Sequence, residues 1–265
     1  MENNGFYKIL LPLEKEVFTT LSHSAEFEDV AKGRKGNHLV DPGAQGVPIV
    51  RTTTRYEKAA NTFSGIHHAI AKAIRAEVKR RNVLEDTSLQ FNNALIEIYD
   101  DRYSKMKYHS DQALDLEANS CIALFSCYER PSNLTEKTVR KLKIQNKATF
   151  EEFEFTLENN SVMLFSVATN SRFQHKIVME APTGFQPTEG GNRWLGMTFR
   201  QSKTWIQFKH QRGYFPNGEL LTLADTEQAR EFYQLRGQEN NALDFEYPDI
   251  SYTLSMGDTR EPREI

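Results

Sequence analysis

A two-residue hydrophobic period that starts near residue 91 is the feature that most restricts the fold of this chain. Between residues 91 and 200, seven short segments are predicted to be strands, of which some alternate apolar and polar side chains, some are almost continuously apolar and others are mixed. They are FNNALIEIY, MKYHSDQ, SCIALFSCYE, FEEFEFTLE, SVMLFSV, FQHKIVM and RWLGMTFR. The first two patterns are typical of β-strands. No regular helical period interrupts them, so the sequence predicts an all-β sandwich or barrel here.

The residues ahead of this β region show other patterns. Residues 31–48 are rich in Gly and Pro and are predicted to form a loop. A helix is predicted next, with Asn61 or Ser64 as its cap. Its apolar residues recur at steps of three and four and are Phe63, Ile66, Ile70, Ile74 and Val78.

Beyond the β region, Asp225 and Gln228 have the spacing of a capping pair, which predicts a helix that stops near Gly237. The polar tail from Gly257 is expected to fray. We therefore expect one domain over residues 1–265. Its parts are an N-terminal helical and lid region (1–90), a β core (91–200) and a C-terminal extension (201–265).

Composition and charge restrict the location and the partners. The mean hydropathy of -0.62 predicts a water-soluble chain, and no apolar run approaches the length of about 18 residues that spans a bilayer. The N-terminus lacks the pattern of a signal peptide, so a cytoplasmic location, or a nuclear one in a eukaryote, is expected. On one strand, Cys121 and Cys127 would lie roughly 20 Å apart, too far for a disulfide. With a net charge of -3, any nucleic-acid binding depends on local basic patches.

His109 and Asp111 stand two residues apart in the segment MKYHSDQ. In a strand such residues point to the same face. One imidazole and one carboxylate are two of the three ligands of the facial triad that binds non-haem Fe(II). The pair alone is also common by chance. His175 is the histidine on a later strand of the β core, where it is either the third ligand or a buried core histidine.

An iron site of this kind needs an electron source, which is usually 2-oxoglutarate. Its far carboxylate requires a cation, and arginine is the expected partner. The strand RWLGMTFR carries Arg193 and Arg200 at its two ends. Arginine at a strand end is commonly just solvated, so the informative pattern is the order of His-x-Asp, distal histidine and arginine-bearing strand.

Five elements in this order resemble the AlkB-like Fe(II)/2-oxoglutarate dioxygenases. They are Tyr99, His109-Ser110-Asp111, the apolar strand SCIALFS, His175 and Thr198-Phe199-Arg200. The resemblance covers residues 91–200 of the 265-residue chain and is loose or absent outside them.

The resemblance implies a double-stranded β-helix, or jelly-roll, core within an α+β, mainly β fold. The iron ligands that it implies are His109, Asp111 and His175. The cosubstrate residues that it implies are Tyr99, Arg193, Thr198 and Arg200. Fe(II) and 2-oxoglutarate would then activate dioxygen, hydroxylate a substrate C–H bond, and yield succinate and carbon dioxide.

Two positions depart from the family pattern. Glu97 stands where the family usually has an asparagine that contacts the cosubstrate. It would pair with Arg200, or give way to Asn93 in a shifted strand, or be exposed to solvent. The two arginines of the closing strand are seven residues apart rather than six, which puts Arg193 and Arg200 on opposite faces of a regular strand. Either a bulge restores Arg193 to the pocket, or another cation binds the far carboxylate.

From the resemblance, the expected substrate is an alkylated nucleobase in DNA or RNA, demethylated oxidatively, as in DNA repair. A reader of nucleic acid needs basic residues and an aromatic lid near the site. Within residues 40–60, the first choice for a lid, the candidates are Arg51, Arg55 and Tyr56. Residues 72–81 and 137–147 are the other basic segments. The alternatives are a hydroxylase of a small molecule or protein side chain, and an inactive binding module. A monomer is expected.

Overall fold

Two antiparallel sheets enclose the interior of the computed structural model, which describes residues 4–13, 17–84, 89–104, 106–180, 184, 186 and 191–265. The strands are β1 (Phe6–Leu10), β2 (Glu28–Ala31), β3 (Arg34–Val40), β4 (Val47–Pro48), β5 (Asn61–Thr62), β6 (Asn93–Tyr99), β7 (Cys121–Tyr128), β8 (Arg140–Asn146), β9 (Glu152–Thr156), β10 (Ser161–Ser166), β11 (Phe173–Met179), β12 (Trp194–Arg200), β13 (Trp205–Lys209), β14 (Arg212–Tyr214), β15 (Thr222–Leu223) and β16 (Tyr252–Thr253). The helices are α1 (Val17–Ser22), α2 (Gly65–Arg81), α3 (Val167–Arg172) and α4 (Thr226–Asn241), with 3-10 turns at Pro131–Asn133 and Met256–Thr259.

The larger sheet has the order β1-β10-β7-β12-β6-β3-β2, with β5 beside β3, and the smaller one has the order β11-β8-β9. Strands distant in sequence are neighbours in both sheets, as in a jelly roll. His109 extends the smaller sheet by an isolated antiparallel bridge to His175 on β11. The interior between the two sheets therefore opens beside His109.

Strict alternation along β12 separates two hydrophobic cores. Leu195, Met197 and Phe199 pack with α1 and α2 on the outer face of the larger sheet. Trp194 belongs instead to the core between the two sheets. On α2, the side chains of Ile70, Ile74 and Val78 are completely buried, and each such burial stabilises the fold by about 1.5–3 kcal/mol. The larger sheet is thus a wall between the helices and the interior.

The prediction of a mainly β jelly-roll fold is confirmed. Six of the seven predicted strand segments form strands β6, β7, β9, β10, β11 and β12. The seventh, MKYHSDQ, is irregular apart from the bridge at His109. Most of the basic segment 137–147, which was not predicted to be a strand, forms β8, and α3 lies between β10 and β11 where no helix was expected.

Three other expectations are wrong in part. Residues 31–48, predicted as a loop, contain the seven-residue strand β3. Gly237 does not end the last helix, which begins after the Asp225 cap as predicted but runs on to Asn241. The tail, expected to fray from Gly257, is instead bound at Arg263, whose backbone forms hydrogen bonds with Ala60 and Thr62.

The N-terminal region adds β1, β2 and β3 to the larger sheet, beside the predicted helical layer of α1 and α2. Ser64, rather than Asn61, precedes α2 as its cap. Among the described residues, no helix is long and apolar enough to cross a membrane.

Candidate active site

His109, Asp111 and His175 converge, and one ligand atom of each lies within 4.8 Å of those of the others. The two histidines face each other because their backbones exchange hydrogen bonds. The amide of His109 donates to the carbonyl of His175 at 3.0 Å, and the amide of His175 donates back at 2.7 Å. Their ring centroids are 4.7 Å apart. The sequence-predicted trio is therefore brought together.

The His109 ring is oriented by its own loop. Its Nδ1 lies 3.0 Å from the carbonyl oxygen of Lys107. Because a carbonyl only accepts, Nδ1 carries the proton and Nε2 keeps a free lone pair. Burial and the neighbouring His175 lower the pKa of His109 to about 3. A neutral imidazole with a free lone pair is the form that binds a metal ion.

Helix α3 fixes the backbone of Asp111 through the side chain of Asn170. The Asp111 amide donates to Asn170 Oδ1 at 2.7 Å, and Asn170 Nδ2 donates to the Asp111 carbonyl at 2.7 Å. Asn170 belongs to α3, which is capped by Ser166. This short helix thus sets the direction of the carboxylate.

The Asp111 carboxylate is bound by Arg200, whose Nε and Nη2 both donate to Oδ2, at 2.9 and 2.6 Å. Oδ1 lies 3.4 Å from His175 Nε2. Burial alone would raise the pKa of Asp111, but Arg200 and His175 outweigh it and hold this pKa well below its ordinary value. The carboxyl group is therefore ionised, as a metal ligand must be.

The C-terminal extension supports the loop between Tyr108 and Ala113. Asn240 Oδ1 accepts from the amide of Ser110 at 2.8 Å, and Glu239 Oε1 accepts from the amide of Ala113 at 2.7 Å. Arg236 donates to the carbonyl of Ser110. Helix α4 therefore braces the loop that carries two of the three converging side chains.

A cavity of about 120 Å³ opens at this trio. Its lining includes three predicted cosubstrate residues, Tyr99, Thr198 and Arg200, together with Glu97 and Arg34. Within the described residues, Arg200 Nη1 is buried without a hydrogen-bond partner. A buried guanidinium N–H without a partner is a donor suited to a carboxylate ligand.

Glu97 points into the cavity, but its partner is not Arg200. Its Oε1 accepts from Arg34 Nε at 2.7 Å and its Oε2 accepts from the Tyr99 hydroxyl at 2.6 Å. Burial, with the Glu97 charge, raises the pKa of Tyr99 well above its ordinary value, so the phenol stays a donor. Asn93 does not replace Glu97, since its side chain donates to the carbonyl of Pro48.

Arg34 was missed because it lies in the segment predicted as a loop. It opens β3, directly opposite Tyr99 of β6. Gly36 on the same strand lies against Tyr56, where a Cβ would stand 3.1 Å from the Tyr56 hydroxyl. The pairing of β3 with β6, which carries Arg34 to the cavity, is a long-range contact that no local pattern reveals.

Arg193 does not reach the cavity, contrary to the prediction. Its Nη2 lies 2.6 Å from Glu129 Oε1, and its guanidinium lies 5.2 Å from the ring centroid of Phe18 on α1. Strand β12 pairs with β7 in unbroken register from Trp194 onward, so no bulge turns Arg193 inward. The seven-residue spacing leaves it on the outer face.

The three candidate substrate residues have different surroundings. Arg51 is buried in an ion pair with Asp115 at 2.7 Å, and Tyr56 is buried, so neither forms a lid. Arg55 is exposed, with its guanidinium 6.0 Å from the ring centroid of Tyr233. Of the predicted lid region, the residues that line the cavity are Thr52, Thr53 and Thr54.

Comparison with known proteins identifies the family. The model of the 2OG-Fe(II) oxygenase superfamily matches residues 36–200, well over half of the chain. The chain belongs to this superfamily. It is therefore an Fe(II)- and 2-oxoglutarate-dependent dioxygenase, and the predicted enzyme class and cofactors are confirmed. The His-Asp-His cluster and the unpartnered Arg200 nitrogen of this oxygenase fit a metal ion and an anionic cosubstrate.

Two solved structures similar to the oxygenase are OsALKBH1 and a Pseudomonas putida prolyl-4-hydroxylase. The first has 13% identity and a TM-score of 0.47, and covers 74% of this chain and 96% of its own. The second has 12% identity and a TM-score of 0.43, and covers 75% of this chain and 94% of its own. No curated protein sequence matches significantly.

Proposed function

We propose that this oxygenase removes alkyl groups from nucleobases and that His109, Asp111 and His175 hold its iron. The observation that carries the iron site is the convergence of the three side chains at a cavity that Tyr99 and Arg200 also line. Two histidines and one carboxylate are the donor set of a facial triad, which leaves positions open for other ligands.

When bound, Fe(II) with 2-oxoglutarate and dioxygen supplies the oxidant for C–H hydroxylation. The chain's own groups orient and shield these reactants. Arg200 Nη1 and the Tyr99 hydroxyl supply donors for carboxylates, while Leu124 and Phe165 in the cavity wall exclude water. If the hydroxylated carbon is an N-methyl group, the product falls apart to formaldehyde and the free base.

A nucleobase substrate is supported by Arg55 and Tyr233, which line a neighbouring pocket that adjoins the cavity through Thr53. The Tyr233 hydroxyl lies 3.4 Å from the carbonyl of Thr53, a cavity-lining residue, and Arg55 lies over the Tyr233 ring. An exposed aromatic ring beside a cation suits a flipped or single-stranded base and its phosphate. The basic end of α2, in contrast, lies on the outer face of the larger sheet. It therefore does not contribute to this site.

One observation favours the second candidate, hydroxylation of a small molecule or a protein side chain. Lys141 and Lys143 of the other basic segment are already paired with Glu154 and Glu180. These two lysines therefore offer no unpaired charge to nucleic acid, and the net charge of -3 gives no attraction of the whole protein for it.

The test between the two is succinate release across a substrate panel. The panel contains single-stranded oligonucleotides with N-methylated bases, their unmethylated counterparts, free methylated nucleobases and amino acids. We expect methylated oligonucleotides to raise succinate release, with about one formaldehyde per succinate. Stimulation by free small molecules alone would contradict the nucleobase proposal.

The substitution Arg55→Ala should weaken the binding of a single-stranded oligonucleotide to the oxygenase. Because a phosphate contact releases counterions, the slope of log affinity against log salt concentration should also fall by about 1. Fluorescence anisotropy at several salt concentrations measures both. The matched control is Arg80→Ala, an exposed arginine on α2 that is paired with Glu77. Equal effects of the two substitutions would remove Arg55 from the proposed interface.

A further inference from the structure

The Glu97 carboxylate has the arginine and phenol contacts that proteins often provide for the carboxylate of a bound ligand. One oxygen accepts from Tyr99 at 2.6 Å, and the other accepts from Arg34 Nε at 2.7 Å and lies 2.5 Å from Arg34 Nη2. Forked arginine contacts and a phenol donor together are strong and specific for a carboxylate. Tyr99 is one of the groups that the proposed function assigns to 2-oxoglutarate.

Arg34 is the cation best placed for a carboxylate at Tyr99. Among the described residues, Arg34, Arg200 and Arg236 are the arginines that line the cavity. Arg200 donates through Nε and Nη2 to Asp111, which leaves its Nη1 at the metal end of the cavity, and Arg236 is bound to Glu239 at 2.7 Å. The guanidinium of Arg34 lies 6.0 Å from the ring centroid of Tyr99 and 5.6 Å from that of Tyr103, which hold it at this end of the cavity.

Other arginines near this end are committed elsewhere. Arg193 is on the outer face with Glu129. Arg140 is buried and donates to the backbone carbonyls of Tyr103 and Asp100. Arg193, the predicted partner of the far carboxylate, therefore does not reach the cavity, whereas Arg34 on β3 lines it.

We propose that Arg34 and Tyr99 form the binding site for the far carboxylate of 2-oxoglutarate, and that Glu97 competes with the cosubstrate for it. The inference rests on the proposed function of this site. Two carboxylates on one guanidinium repel each other, so cosubstrate binding displaces Glu97 from Arg34. Glu97 thereby lowers the affinity for 2-oxoglutarate, and the enzyme responds to the cosubstrate at higher concentrations.

The experiment is a calorimetric titration of 2-oxoglutarate into the full chain loaded with Mn(II), which reports binding without turnover. Glu97→Gln keeps a side chain of the same shape but removes the competing charge, so the Kd should fall about tenfold or more. Arg34→Ala should raise the Kd by about tenfold or more, since a charged hydrogen bond is lost. Arg34→Gln provides a second variant, in case the alanine variant does not fold.

A ligand that lacks the far carboxylate separates a direct contact from a general change in the cavity. The 2-oxo acid of the same length without the far carboxylate should bind wild type and Arg34→Gln equally. The matched controls are Glu129→Gln and Arg193→Ala, which remove the same charges from the ion pair on the outer face. Neither control should change the Kd for 2-oxoglutarate.

The outcomes distinguish this inference from the proposed function. If wild type binds 2-oxoglutarate but Glu97→Gln leaves the Kd unchanged or raises it, the competition is overturned and the iron site stands. If Arg34→Gln weakens both ligands equally, the assignment of Arg34 to the far carboxylate is overturned. If the Mn(II)-loaded wild type does not bind 2-oxoglutarate, both proposals fail.

Discussion

At the scale of single residues, the proposed iron ligands depend on partners that do not touch the metal. Asn170 makes two hydrogen bonds of 2.7 Å to the backbone of Asp111, and the carbonyl of Lys107 orients the His109 ring. Such partners hold ligands in the geometry that a metal ion requires, and their loss typically weakens metal affinity by about 10–100-fold.

We therefore expect Asn170→Ala to weaken Mn(II) binding by about 10–100-fold, because the Asp111 backbone loses both of its side-chain contacts. Equilibrium titration of the purified chain with Mn(II) measures the change. Asn241→Ala is the control, since Asn241 is exposed and donates only to the Gly237 carbonyl within α4. An affinity equal to that of wild type would show that α3 does not position Asp111.

Site residues that are close together in the sequence could be predicted, whereas contacts between distant parts of the chain could not. His109 and Asp111 are two residues apart, so their shared direction follows from local geometry. Arg34 is 63 residues from Glu97, and their contact exists only because β3 pairs with β6. The outward placement of Arg193 follows from its odd spacing to Arg200, whereas the true partner of Glu97 does not follow from any spacing.

At the scale of elements, most core strands were predictable from their apolar patterns, but β8 and β3 were not. Strand β8 does alternate, with Arg140, Leu142 and Ile144 buried, but its outward lysines made it resemble a basic insertion. Strand β3 contains Gly36 and Asn37, residues that rarely favour strands, and is stabilised by its neighbours in the sheet. Tertiary pairing overrides local preference in β3, whereas in β8 the local strand pattern was present but masked by the lysines.

The larger sheet should also separate stability from metal binding. Ile74 on α2 is completely buried on the outer face, so Ile74→Ala should lower the free energy of unfolding by about 2–5 kcal/mol. The affinity for Mn(II) should not change, because the cavity lies beyond the sheet. Urea unfolding and metal titration measure the two effects.

The control for this substitution is Lys72→Ala on the same helix, where the side chain is exposed and the expected change is within about 0.5 kcal/mol. If Ile74→Ala weakened Mn(II) binding as strongly as Asn170→Ala, the sheet would not act as a wall between the helices and the site.

At the scale of the whole molecule, all three regions contribute to the cavity. The N-terminal region supplies Arg34 and Thr52–Thr54, and the core supplies the His-Asp-His cluster. The C-terminal extension supplies Arg236 and braces the loop that carries His109. We infer that the three regions fold as one unit, and that removing residues 201–265 would disturb the site as well as the fold.

The stoichiometry and affinity of Mn(II) binding in the three ligand variants are the direct test of the proposed iron site. Wild type should bind one ion per chain, and His109→Ala, Asp111→Ala and His175→Ala should each weaken binding by more than about 100-fold, beyond the loss expected for a supporting residue. His210→Ala, at an exposed histidine, is the control and should bind as wild type does. Wild-type affinity in His109→Ala and His175→Ala would contradict the proposed iron site.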